Sequence, residues 1–298
     1  MKMTKENTLF TTVGSWKDWE KKTKVLRLSA EKNQVDLEIV DQGGIWYGYY
    51  ENKIVRLKKW LEEKVRRNGT IRYFVFVDAR DVVFVKPKEI LLRQMNGFPE
   101  DSVWFNSDRR MRTWTANARW FAHRISLKYG YDGMANSGMY FGSVERILDM
   151  LNRCVTLSCF LTSEEQRPGT IEQLVKETIR GKRPELKFEI GKGETTTTEY
   201  NIGTYDEAEP HLQSDQFYIQ MLQAMWDDIV QVDVERKVLA GFADGWPSIR
   251  NWRSNGSMPL GTAGILHSPW MFPRTKIDET QDAWEEWAYR ERIVSWER

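Results

Sequence analysis

Tyr73-Phe74-Val75-Phe76-Val77-Asp78-Ala79-Arg80-Asp81 is the stretch on which the fold of this chain turns. Its first five residues are all aromatic or β-branched, with no charged residue among them, as a strand covered on both faces of a parallel sheet requires. The run stops at a carboxylate, and a second carboxylate follows three residues on. Asp78 and Asp81 are thereby placed at the carboxyl edge of a buried strand, where open α/β sheets bind their ligands. Two carboxylates there suit a hard divalent cation such as Mg2+ or Mn2+, which takes oxygen ligands and completes its shell with water and phosphate oxygens. A turn-capping Asp78 beside a solvated Asp81 leaves the same pattern, because Asp is common in turns.

Upstream, Thr8 to Val13 reads as a strand, Lys17 to Lys32 as a helix and Val35 to Val40 as a second strand, a βαβ opening. Ile54, Leu57, Trp60, Leu61 and Val65 recur at intervals of three and four, which puts them on one face of a helix from Lys53 to Arg66. Downstream, Val82 to Val85 leads through Pro87 to a helical pattern from Lys88 to Met95, then a strand from Ser102 to Asn106. Met134 to Gly142 reads as a loop entering a strand, with Gly138 and Gly142 allowing close backbone approach. Leu161 to Asp206 is polar, contains Thr195 to Thr198 in a row, and reads as an insertion or mobile loop. Phe217, Met221, Leu222 and Met225 give helical spacing from Ser214 to Trp226, with Ser214 as the N-cap. Late in the chain, Ile265-Leu266-His267 is an apolar run that ends on a histidine. That imidazole is again at a strand edge, where it could complete a mixed oxygen and nitrogen shell suited to Mn2+.

With 298 residues, 41% of them hydrophobic and 29% charged, the chain can bury a large core. The 44 basic and 43 acidic side chains leave a formal net charge of +1, so no whole-molecule field draws it to nucleic acid or anionic lipid. Two cysteines, Cys154 and Cys159, make neither a disulfide framework nor a common zinc pattern. Met1 to Leu9 is polar, without the apolar core of a secretory signal, and no long apolar run follows, so a cytoplasmic, unanchored protein is expected. One local patch stands out. Arg109, Arg110, Arg112, Trp114, Arg119, Trp120 and Arg124 interleave guanidinium groups with indoles, a pattern that could grip phosphates and stack on bases. An amphipathic segment whose Trp residues face the core would read the same way.

Five blocks, in order along the chain, resemble the glycosyltransferase domain of procollagen lysyl hydroxylases and their relatives. They are Asn52-Lys53-Ile54-Val55-Arg56-Leu57-Lys58-Lys59, Tyr73 to Val85, Asn136-Ser137-Gly138-Met139-Tyr140-Phe141-Gly142, Ser214-Asp215-Gln216-Phe217-Tyr218, and Leu266-His267. Between about Asp41 and Pro269 the intervening stretches look unlike that family. The resemblance implies a GT-A fold, a Rossmann-like mixed sheet flanked by helices. Residues 1–106 would form the nucleotide-sugar-binding half and residues 107–298 the acceptor-side half of one domain. It implies a UDP-sugar donor and a Mn2+ held by Asp78, Asp81 and His267 against the diphosphate. It also implies Lys53 near the phosphates, Asp215 on the acceptor side to orient or deprotonate a hydroxyl, and Asn136 with Gly138 against the donor sugar. Trp46 and Tyr47, which follow Gly43-Gly44, could stack on the nucleobase. The family commonly carries an aromatic residue between its two metal aspartates; this chain has Arg80.

The expected function is transfer of a sugar from a nucleotide donor to a hydroxyl of an intracellular acceptor, with a hydroxylated base in DNA, a protein or a glycan as the candidates. A non-catalytic glycan-binding or nucleic-acid-binding module on the same scaffold is the alternative. Nucleotidyl transfer ranks last, since the chain has no Gly-rich phosphate loop of the P-loop form.

Overall fold

A computed structural model describes residues 2–108, 133–162, 214–225, 229–241 and 263–267, with Ile125, Tyr129 and Ala288 as isolated positions. Tyr73–Val77 forms strand β3, and all five of its residues are buried. Because side chains alternate across a strand, the run feeds two separate cores. Phe74 and Phe76 pack with Leu57, Leu61, Ile147, Leu151, Tyr218 and Leu222 on one side. Tyr73, Val75 and Val77 pack with Phe10, Leu26, Leu91, Phe84 and Ile265 on the other. A strand walled in on both faces has no polar positions to offer, which is why the alternation usual for a half-exposed strand is missing from its sequence.

The main sheet has six strands in the order β2-β1-β3-β6-β5-β7. Its members are β1 (Thr8–Val13), β2 (Leu37–Val40), β3, β5 (Val103–Asp108), β6 (Met134–Ser143) and β7 (Val230–Asp233). β1 runs parallel to β2 and β3, β6 is antiparallel to β3 and β5, and β5 is parallel to β7. A second sheet of three strands, in the order β4-β9-β8, joins β4 (Val82–Phe84), β9 (Ile265–His267) and β8 (Leu239–Gly241). The mixed α/β architecture expected from the sequence is therefore present, a mixed sheet flanked by helices. The main sheet draws strands from both sides of position 106.

Several elements differ in detail from the sequence reading. The helix expected over Lys17 to Lys32 is two pieces, α1 (Trp19–Lys22) and α2 (Lys24–Lys32), which meet at Thr23. The Thr23 hydroxyl donates to the Trp19 carbonyl at 2.8 Å, a local bond that competes with a continuous helix ladder. The helix expected from Lys53 opens instead as a π-helical stretch, Glu51–Arg56, and only then continues as α3 (Leu57–Arg67). Met134 to Gly142, read as a loop entering a strand, is strand throughout as part of the ten residues of β6. α4 (Lys88–Met95) and α6 (Asp215–Met225) lie close to expectation, with Ser214 directly before α6. α5 (Val144–Thr162) carries both cysteines, free, with Cys154 buried and Cys159 exposed. Leu161 and Thr162, read as the start of a polar insertion, instead end α5, and Arg109 to Arg124 and residues 163–206 lie outside the described residues. Among the described residues, no helix is long and apolar enough to cross a membrane.

Helix α2 fixes the start of the second sheet. Val25, Leu26, Ser29 and Ala30 form its buried face. The Phe84 N–H donates to the Ser29 hydroxyl at 3.1 Å, and the Asn33 amide donates to the Phe84 carbonyl at 2.9 Å. β4 is thus hydrogen-bonded to a helix on one side and to β9 on the other, so the bend carrying Asp78 to Asp81 is clamped at both ends.

Candidate functional site

Asp78 is the first residue after β3, and its N–H donates to the Gly138 carbonyl at 2.7 Å, extending the β3–β6 ladder by one step. The chain then bends, and Asp81 precedes β4 directly. His267 ends β9 and lies opposite Val82 of β4. Three ends of three strands thereby bring one potential ligand atom each from Asp78, Asp81 and His267 to within 4.8 Å of one another. His267 Nε2 is 3.4 Å from Asp81 Oδ1 and 3.8 Å from Asp78 Oδ2.

Two features fit this trio to a cation. His267 is 2% exposed, yet neither ring nitrogen has a hydrogen-bond partner. A buried imidazole left without partners is costly unless something else occupies its lone pair. Asp78 keeps 23% and Asp81 28% of their side-chain surface open, a path by which an ion could enter. The donor set, two carboxylates and an imidazole, is one that Mn2+ accepts.

The backbone is shaped to admit the imidazole. A Cβ on Gly138 would lie 2.0 Å from His267 Cε1, so only glycine leaves room for the ring. Gly138 reaches that place because β6 bulges. β5 pairs Phe105 with Tyr140 and then Asn106 with Asn136, so Ser137 to Met139 are dropped on that side, while Met139 still pairs with Val77 of β3. The Gly138 N–H donates to Asn136 Oδ1 at 2.8 Å, closing the bulge on itself. Asn136, 3% exposed, therefore shapes the glycine approach with the side chain that the sequence reading had assigned to the donor sugar.

Lys53 is withdrawn from solvent. Its residue exposure is 5%, and its ammonium lies 2.6 Å from Asp78 Oδ1 and 3.1 Å from Asp215 Oδ2. Asp215, 4% exposed, opens α6, where a carboxylate also favours the helix dipole. The π-helical stretch sets Lys53 in place through Asn52, whose Oδ1 accepts from the Tyr47 N–H at 2.7 Å and whose amide donates to Ser15 Oγ at 2.8 Å. Such stretches are often found at functional sites.

The charges hold one another. Burial works against the Lys53 ammonium, but Asp215 and Asp78 outweigh it and keep its pKa well above the ordinary lysine value. Burial pushes the Asp78 carboxyl up to about 6 against the pull of Lys53, with Asp81 adding to the rise. Burial would also raise Asp81, yet His267 outweighs it and holds Asp81 below the usual carboxylate range. For His267, burial favours the neutral ring, and Asp81 followed by Asp78 overrides it, so its pKa is raised.

An aromatic ledge borders this cluster. Trp46 stacks on Trp16 with ring centres 5.0 Å apart, and Tyr49 meets Trp46 edge-on at 5.2 Å. Tyr49 is 56% exposed with the Lys53 ammonium 5.4 Å from its ring centre, and Tyr47 is 49% exposed beneath the Arg56 guanidinium at 4.1 Å. Sequence reasoning singled out Trp46 and Tyr47 but missed Trp16 and Tyr49. The density of rings in Trp46-Tyr47-Gly48-Tyr49-Tyr50 was the signal available for Tyr49. The arginines and tryptophans of the basic patch, Arg109, Arg110, Arg112, Trp114, Arg119, Trp120 and Arg124, lie outside the described residues.

No family model matches the chain, and no curated protein matches it. Among solved structures it is similar to a glycosyltransferase involved in the glycosylation of the major capsid of PBCV-1. The match has 10% identity and a TM-score of 0.40, covering 93% of this chain and 98% of that one. A likeness this distant carries no argument about activity.

Proposed function

We propose that this chain is a divalent-cation-dependent glycosyltransferase that moves a hexosyl or pentosyl group from a nucleotide sugar, a UDP-sugar in the first instance, to an acceptor hydroxyl. The observation that carries the reading is the meeting of Asp78, Asp81 and the buried His267 at the carboxyl edge of the sheet, joined through Lys53 to Asp215. Asp78, Asp81 and His267 would hold Mn2+ or Mg2+, which when bound offsets the negative charge that develops on a diphosphate leaving group.

The chain's own groups supply the rest. Lys53 fixes the carboxylates of Asp78 and Asp215 relative to each other, so the donor side and the acceptor side share one buried cation. Asp215 accepts the proton of the incoming hydroxyl as the acceptor oxygen bonds to the anomeric carbon and the anomeric carbon–oxygen bond to the diphosphate breaks, its electron pair leaving with the phosphate. Gly138 and Asn136 keep the β6 backbone against the site, and Trp46 with Tyr47 offers ring faces to the base. A hydroxylated DNA base as acceptor, and a cytoplasmic setting, rest on the sequence alone, the former on Arg109 to Arg124.

Thermal-shift measurements with a panel of nucleotide sugars, each with and without Mn2+, test the reading. A ligand bound only by the folded state raises the melting temperature, so one donor should stabilise the protein in the presence of metal alone. Asp81→Ala should lose that shift while melting normally without ligand. Equal stabilisation of the wild type in excess chelator would sink the metal role, and stabilisation by glycans without any nucleotide sugar would favour a binding module.

A further inference from the structure

Arg80 stands between the two carboxylates of the cation cluster, yet among the described residues it forms no ion pair. Its Nε is buried and without a hydrogen-bond partner. Arg80 forms no ion pair with Asp81, its sequence neighbour, or with Asp18 of the segment that follows β1. Asp18 is already engaged by Lys22 at 2.9 Å, and Asp81 faces His267. Arg80 therefore sits in the bend between the two carboxylates of the cation cluster with no ion-pair partner among the described residues.

That position is on the path of a ligand. β1 is the parallel neighbour of β3, so their carboxyl ends share one edge of the sheet, and ligands of open α/β sheets lie along that edge. A nucleotide whose diphosphate is held at Asp78 and Asp81 meets the bend that carries Arg80. Charge balance points the same way. Asp78, Asp81 and Asp215 face one ammonium, Lys53, which is engaged by two of them. A divalent cation offsets the remaining carboxylate charge, and an arriving diphosphate then needs a further cation.

We propose that Arg80 is the diphosphate-binding residue of this site, making the phosphate contact for which Lys53, held by Asp78 and Asp215, is not free. The assignment rests on the nucleotide-sugar reading above. Arginine suits the role because its planar fork gives two N–H groups to two phosphate oxygens and stays charged at any working pH. The contact strengthens as the leaving phosphate gains charge, which is when an electrostatic contact assists transfer.

Calorimetric titration separates the parts, using Mn2+ alone and then inorganic pyrophosphate with Mn2+ present. Wild-type protein should bind pyrophosphate only with Mn2+. Arg80→Gln should bind Mn2+ with affinity close to wild type, melt normally, and bind pyrophosphate about 10- to 100-fold more weakly, the loss expected from removing charge-assisted hydrogen bonds. Arg80→Lys should recover part of that loss. Wild-type pyrophosphate affinity in Arg80→Gln overturns the assignment and leaves the nucleotide-sugar reading standing. A loss of Mn2+ affinity as large as the loss of pyrophosphate affinity also overturns it, placing Arg80 in the cation site instead. Wild-type protein that binds Mn2+ but no pyrophosphate overturns both readings together.

Discussion

Replacing Gly138 by alanine adds one methyl group, and the surrounding geometry fixes where it goes. The new Cβ would lie 2.0 Å from His267 Cε1 and 2.6 Å from each ring nitrogen. To restore an ordinary contact of 3.4 Å the ring must retreat by about 1.4 Å, and overpacking of this kind typically costs about 1–3 kcal/mol. Metal–ligand distances tolerate about 0.2 Å, so a displaced imidazole ceases to be a ligand. Loss of one of the three protein ligands should weaken Mn2+ binding by about 100-fold, equivalent to about 2.7 kcal/mol. The assay is calorimetric titration of Mn2+ into each protein, with a melting curve for each. Gly69→Ala is the control, since nothing lies within 4 Å of the corresponding Cβ. Gly138→Ala that binds Mn2+ as tightly as Gly69→Ala and melts with it would refute the reasoning, because the imidazole would then have no need of its present position.

Lys53→Met leaves Asp78 and Asp215 facing each other without their shared cation and should destabilise the protein by about 3–5 kcal/mol in urea unfolding. Adding Asp215→Asn should recover part of that loss, and a double variant no more stable than the single one would show that the triad is not coupled. For pH, the raised pKa of His267 gives opposite signs in the two states. Without metal, its contribution to stability is full below the unfolded value of about 6.5 and is lost as pH rises through the raised folded value. With Mn2+, the proton must leave before the ring can bind, so apparent metal affinity rises over the same interval; melting temperatures in chelator and in Mn2+ should therefore diverge as pH increases. Asp233, 2% exposed, accepts from the N–H groups of Lys237, Val238 and Leu239 at 2.9, 2.8 and 2.9 Å. Asp233→Ala strands those donors and should cost about 2–3 kcal/mol by chemical denaturation.

β3 was legible because a strand buried on both faces must be continuously apolar, whereas Asp78 and Asp81 after it were also what a turn would use and gained weight only together with His267. His267 was legible as the end of the apolar run that forms β9. The pairing of β9 with β4 was not, since a three-residue strand has no periodicity to read. β6 was misread in part as loop because Asn136, Ser137 and Gly138 interrupt its apolar pattern; these residues are buried, and the bulge explains why a strand tolerates them. The burial of Lys53 was hidden as well. Along its helix it has basic neighbours that face solvent, and what removes it from water is a pair of carboxylates, one of them on a helix distant in sequence. Arg80 was visible only as a departure from the family the sequence resembles; that it forms no ion pair among the described residues is a property of three-dimensional neighbours.

The trio at the site spans a seam. Asp78 belongs to the end of the six-stranded sheet, whereas Asp81 and His267 belong to the three-stranded one. An ion gripping all three would rivet the smaller layer to the larger, because the smaller layer could not open without releasing a ligand. Amide protons of β9 and β4 would then exchange with solvent at a rate governed by metal concentration, while those of β1 and β2, on the far side of β3, would not register whether the rivet was in place.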